Sequence, residues 1–103
     1  MNNKGNIRVG ADGSVQINGE MTFDSTAKLY RELEDRFTGE RPVTGIDLAG
    51  VERADSSGLA LLLEWQAMAR LQQLKLHITN APDNLLKLAR LCEADTLLDI
   101  SGR

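Results

Sequence analysis

The chain has 103 residues, 42% of them hydrophobic and 26% charged, with a formal net charge of -3. Those values describe one ordinary globular domain over residues 1–103, long enough to bury roughly two-thirds of its unfolded surface. The 12 Lys and Arg are scattered, with no basic run, which argues against nucleic acid and against an anionic membrane surface as partners. Cys92 is the only cysteine, so an intrachain disulfide is excluded and a reducing compartment fits best. The first twelve residues are polar and lack the apolar stretch of a signal peptide. The longest apolar run, Leu59 to Leu63, is far too short to cross a bilayer. The expectation is a cytoplasmic protein without direct membrane insertion.

Ile7 and Val9, then Val15 and Ile17, alternate with polar residues on either side of Ala11-Asp12-Gly13, a hairpin signal with Asp-Gly at the turn. Gly19-Glu20-Met21-Thr22 interrupts that alternation. Asp24 or Ser25 then caps a helix whose Ala27, Leu29, Tyr30, Leu33 and Phe37 share one face. Gly39 closes the helix, and Arg41-Pro42 leads into a strand over 43–48. A loop follows, and a second helix runs over 57–71. Leu74 to Thr79 alternates with period two, as a strand does. Asn80-Ala81-Pro82 opens a third helix, with Leu85, Leu88, Ala89 and Cys92 on its buried face. The tail carries a short apolar patch, Leu97, Leu98 and Ile100, fit for a last strand or turn.

The order β-β-α-β-α-β-α predicts an α/β fold with a small mixed sheet and right-handed crossovers. A sheet covered on both faces has continuous apolar strands. Here Gln16, Asn18, Asp47, Lys75 and His77 interrupt them, so the helices belong mainly on one face.

The densest information lies in Asp55-Ser56-Ser57-Gly58-Leu59, a turn at the start of the second helix. A helix N-terminus has unpaired N–H groups and partial positive charge, and it accepts a cap or a phosphate. Ser56 or Ser57 as N-cap contributes on the order of 1 kcal/mol and needs no further purpose. Gly58 fits that reading less well, because glycine in a first turn is costly relative to alanine. Its missing side chain admits another backbone or a phosphate. Cap and functional loop both stand on the residues alone. The second helix is apolar around most of its circumference, with Gln66, Arg70 and Gln73 as the clear polar strip. A central helix flanked by the other two explains most of that; the first turn with Leu59 is also suited to an interface.

Catalysis finds no support in the residues. A serine nucleophile needs a base, and the lone histidine, His77, sits in the middle of an alternating strand. Gly-x-Ser-x-Gly is absent. Gly5 and Gly10 have P-loop spacing, but Ala11-Asp12 follows in place of Lys-Ser/Thr. No cluster has metal-ligand spacing, and no cofactor is indicated.

Gly19-Glu20-Met21, Asp47-Leu48 and Asp55-Ser56-Ser57-Gly58-Leu59 occur in the order and spacing of the STAS domain, and the chain resembles that family nearly throughout. The family comprises bacterial anti-sigma-factor antagonists and transporter-linked regulatory domains, and its fold agrees with the one-sided layering above. In the resemblance, Ser56 matches the phosphoacceptor of the antagonists and Ser57 its neighbour. Thr22 stands where those antagonists typically carry Asp, and Ala60 where they favour glycine. The run Gly58-Leu59-Ala60-Leu61-Leu62-Leu63 is closer to the subgroup of small cytoplasmic subunits in ABC transporters that move phospholipids to keep the outer membrane asymmetric. That resemblance implies a non-enzymatic regulatory subunit, held at the inner membrane through its complex. It would dock Asp55, Ser56, Ser57, Gly58 and Leu59 on the ATPase subunit. An antagonist switched by phosphorylation of Ser56 is the alternative within the same fold, and a serine hydrolase the alternative outside it.

Overall fold

The computed structural model describes residues 5–10, 12–37 and 42–103. The expected turn residue Ala11, the helix stop at Gly39 and the lead-in at Arg41 lie outside the described residues. Strand β1 (Asn6–Val9) pairs antiparallel with β2 (Ser14–Met21), and Gly13 takes the positive φ of +87° that the hairpin turn needs. Helix α1 (Thr26–Leu33) continues as a 3-10 turn through Phe37. Strand β3 (Gly45–Ala54), helix α2 (Ser56–Leu71), strand β4 (His77–Ala81), helix α3 (Asp83–Leu91) and strand β5 (Asp99–Gly102) follow.

The sheet order is β1-β2-β3-β4-β5, with every pair after the first parallel. Each parallel step moves the same way across the sheet, so right-handed crossovers place α1, α2 and α3 on the same face. Burial follows. Val15, Ile17 and Met21 of β2, Ile46, Leu48 and Val51 of β3, and Ile78 of β4 meet Leu29, Leu33, Leu62, Trp65 and Leu85 of the helices. The other face is polar and in contact with water. Trp65 anchors the core, its ring 6.5 Å from that of Phe37.

Several boundaries differ from the sequence expectation, each for a physical reason. Gly19-Glu20-Met21 does not end β2. Gly19, at φ +89°, sits beside a register shift, and the strand resumes to Met21. Strand β3 does not end at Leu48 either. Gln16 faces Asp47 but Asn18 faces Gly50, and Gly19 faces Val51 but Glu20 faces Arg53. Two bulges on β3 therefore shift the inward phase from Ile46 and Leu48 to Val51 and Ala54. The Asp47 carboxylate accepts the Ala49 amide and the Asn80 side-chain amide across the first bulge. Arg103 reaches the same place: its guanidinium donates to the carbonyls of Leu48, Ala49, Val51 and Asn80.

Strand β4 begins at His77 rather than Leu74. The chain leaves α2 through Gln73 at φ +58°, with the Leu74 amide bonded back to Ala69, and pairing starts only where Gly45 of β3 is available. Cys92 is exposed, not part of the buried face of α3. Gln66 is 8% exposed rather than part of a polar strip, whereas Leu71, read as apolar circumference, is 81% exposed.

Candidate functional site

Strands β2 and β3 deliver their last residues, Met21 and Ala54, side by side, and α2 starts directly after. Asp55 is the N-cap, in place of the expected Ser56 or Ser57. Its Oδ1 accepts the amides of Ser57 at 2.8 Å and Gly58 at 3.4 Å, satisfying donors that every helix start leaves open. Its Oδ2 accepts the Phe23 amide at 3.1 Å, and its own amide donates to the Met21 carbonyl at 3.2 Å. One residue thus ties the start of α2 to the loop that leaves β2.

Gly58 completes the tie. A Cβ there would lie 2.6 Å from the Met21 carbonyl oxygen, so the backbones approach as closely as the sequence reading required, with a backbone and not a phosphate as the neighbour. From the other side, Asn84 at the start of α3 donates its side-chain amide to the Ala54 carbonyl at 2.7 Å. The β2–α1 loop is equally fixed. The Ser25 hydroxyl accepts the Thr22 amide at 2.9 Å and donates to the Glu20 carbonyl at 2.7 Å. Ser25 is the residue that precedes α1, as expected, but its side chain secures the loop behind it rather than capping the helix ahead.

Of the five residues singled out by sequence, the structure brings all into this corner but exposes them unequally. Ser56 is exposed, Asp55 and Ser57 are half-buried, and Gly58 and Leu59 are buried, Leu59 at 4% exposure. Gly58 and Leu59 hold the corner's shape from beneath, while the serines face outward. His77 begins β4 at the other end of the sheet, the length of β3 away from Ser56, or roughly 30 Å at the rise of a strand. Its imidazole pairs with Asp99 of β5 on the polar face.

Phe23 is the residue the sequence reading passed over. Continuing Val15, Ile17 and Met21 by twos points it inward, but the chain turns at Thr22 and leaves Phe23 79% exposed beside Asp55. It closes one end of a largely apolar groove of about 450 Å³ between α1 and α2, which Ser57, Ala60 and Leu61 line from the α2 side. An aromatic flanked by polar residues, just before a helix cap, was the available signal.

The corner therefore presents exposed Ser56, half-buried Ser57 and exposed Phe23 side by side at one end of the sheet. Residues 7–99 match the family described as Mlab, STAS domain, and the chain belongs to that family. Among its relatives, the intermembrane phospholipid transport system binding protein MlaB of Escherichia coli (strain K12) is 32% identical over 78 residues, 76% of this chain and 77% of that protein. The protein of the same name from Shigella flexneri matches equally. The fold is that of the anti-sigma factor antagonist SpoIIAA. Its unphosphorylated form superposes with a TM-score of 0.68 at 14% identity, covering 84% of this chain and 82% of that one. The phosphorylated form of this Bacillus cell fate determinant gives 0.69 at 14% identity, covering 96% and 92%. No helix among the described residues is long and apolar enough to cross a membrane.

Proposed function

We propose that this chain, acting as a single domain over residues 1–103, is the non-enzymatic binding subunit of an intermembrane phospholipid transport system. It docks on the system's ATPase subunit through the corner from Asp55 to Leu59. It works on the cytoplasmic side, held at the inner membrane through that complex. The observation that carries this reading is the shared Asp55 carboxylate, which locks exposed Ser56 to the loop bearing exposed Phe23. A contact surface held in fixed register loses little conformational entropy when a partner binds. Family membership and the MlaB relatives supply the transport context.

The test is a Ser56→Glu variant. An acid in the first turn of α2 is compatible with the helix dipole, so the fold should stay intact while the enlarged, charged side chain obstructs docking. Co-purification with the ATPase subunit should fall at least tenfold at unchanged thermal midpoint; full recovery of the complex would overturn the reading.

The antagonist reading fits the corner less well. A phosphate on Ser56 would add about 1.5–2 negative charges. The amides of Ser57 and Gly58 are already engaged by Asp55, so the helix dipole offsets the added charge only in part and the neighbouring carboxylate repels it. An intact-mass shift of one phosphate after incubation with a cognate kinase would favour that reading instead.

A further inference from the structure

The flank of α2 turned away from α1 borders another cleft. Leu63, Gln66, Ala67 and Arg70, spaced three and four apart, share one side of the helix and meet Leu97, just after the short turn over Ala94–Thr96. The Arg70 guanidinium donates across the cleft to the Leu97 carbonyl at 3.2 Å. Two chambers share that bridge and Gln66 as boundaries. One is a largely apolar space of about 380 Å³ walled by Leu63, Ala67 and Leu97, a size typical of small-molecule pockets. The other, about 230 Å³, is rimmed by Lys75, Thr96 and Asp99 over a floor of buried Leu76 and Leu98.

Three features select the occupant. The apolar chamber has room for one hydrocarbon chain beside Leu63 and Ala67. In the polar chamber, Arg70 and Lys75 stand against Asp99 alone, which matches a singly charged anion. The Lys75 ammonium has no partner among the described residues, and Arg70 uses only one nitrogen on Leu97, so both have donors to give. Gln66 supplies the third feature. It is 8% exposed, borders both chambers, and its side-chain carbonyl has no hydrogen-bond partner among the described residues. Buried amide oxygens are seldom left so in folded proteins, and this one requires an O–H or N–H from whatever fills the cleft. An ionised fatty acid has the chain and the charge but no donor. A diacyl phospholipid has a second chain and no second apolar chamber to hold it. A lysophospholipid with a phosphoglycerol head has one chain, a phosphodiester with a single negative charge, and free hydroxyls.

We propose that this cleft binds a monoacyl anionic phospholipid. Its chain lies between Leu63 and Leu97, its phosphodiester accepts from Arg70 and Lys75, and a glycerol hydroxyl donates to the Gln66 carbonyl. The site is on the opposite flank of α2 from Ser57, Ala60 and Leu61, so it does not depend on the docking assignment above. It accounts for a buried polar side chain in a largely apolar helix, which no contact within the described residues satisfies.

The test is calorimetric titration of the purified chain with dodecanoyl lysophosphatidylglycerol, kept below its micelle-forming concentration. Binding should saturate at one lipid per chain. Dodecanoate and inorganic phosphate should each bind at least tenfold more weakly, and vesicles of dioleoyl phosphatidylglycerol should not retain the protein on flotation. Lys75→Gln removes a charge at an exposed position, and Ala67→Trp fills the apolar chamber from another. Each should weaken lysolipid binding at least tenfold at unchanged thermal midpoint, whereas Ser56→Glu should leave it within twofold. In NMR spectra the Gln66 side-chain amide should shift on binding while the amides of Phe23 and Ser57 stay in place. Absence of saturation, equal affinity for dodecanoate, retention on the vesicles, or shifts confined to the docking corner would each overturn the assignment.

Discussion

Helices α2 and α3 start at the same edge of the sheet, each just after a parallel strand, yet they are built differently. In α2 the capping residue is Asp55, followed by Ser56, Ser57 and Gly58; in α3 it is Pro82, followed by Asp83, Asn84 and Leu85. The α3 start has no side-chain cap and places a fully buried leucine at its third position. At the same position α2 has Gly58, pressed on the Met21 carbonyl, and its cap is shared with a neighbouring loop. A helix start in this fold therefore does not need such ties. What the α2 start adds is a fixed relation between exposed Ser56 and exposed Phe23, while α3 serves it as a brace through Asn84.

The largest way to break that contrast is Gly58→Ala. The new methyl would meet the Met21 carbonyl at 2.6 Å and force backbones apart, for a net loss of about 1–3 kcal/mol despite the better helix propensity. The thermal midpoint should fall by about 4–8 °C for each kcal/mol lost; an unchanged midpoint would mean that the close approach is not tight. Next is Asp55→Ala, which removes the cap and frees the Phe23 amide. It should cost about 1–2 kcal/mol in a urea titration and speed hydrogen exchange at Phe23, Ser57 and Gly58 together. The counterpart Asp83→Ala at α3, which removes only a first-turn charge, should cost about 0.3–1 kcal/mol and leave Phe23 protected.

The smallest effect sharpens the same contrast with a carboxylate whose partners are all local. Asp12 accepts the hydroxyl and the amide of Ser14, first through the side chain and then the backbone, and its pKa is held below the ordinary carboxylate range. A depressed folded pKa contributes stability at neutral pH that is lost as pH falls through that value. Ser14→Ala should return the Asp12 titration, followed by NMR, upward toward the ordinary value without disturbing the corner.

The sequence made most of the strand and helix order readable because those elements carry a clear period: twos in Val15 and Ile17, threes and fours in Leu29, Tyr30 and Leu33. It also marked the corner, because Asp, Ser, Ser and Gly in succession at a helix start combine a cap with a missing side chain. The misreadings arise where local pattern does not fix burial. Bulges change the phase of alternation, so β3 looked finished at Leu48 when Val51 and Ala54 carry its inward face onward. The same limit hid Phe23, whose exposure depends on where the chain turns rather than on residue type. Gln66 and Cys92 show that side-chain polarity does not decide burial near the end of a packed face. Asn84 is a contact 30 residues distant in sequence, beyond any local pattern.

Arg103 has a consequence in time. The carbonyls of β3 that it gathers lie 52 to 55 residues earlier in the chain. At ordinary rates of translation, about 5–20 residues per second, the serines at 56 and 57 are synthesised about 2–9 s before that guanidinium exists. A nascent chain thus passes through an interval in which β3 lacks the clamp that the guanidinium places over its first bulge.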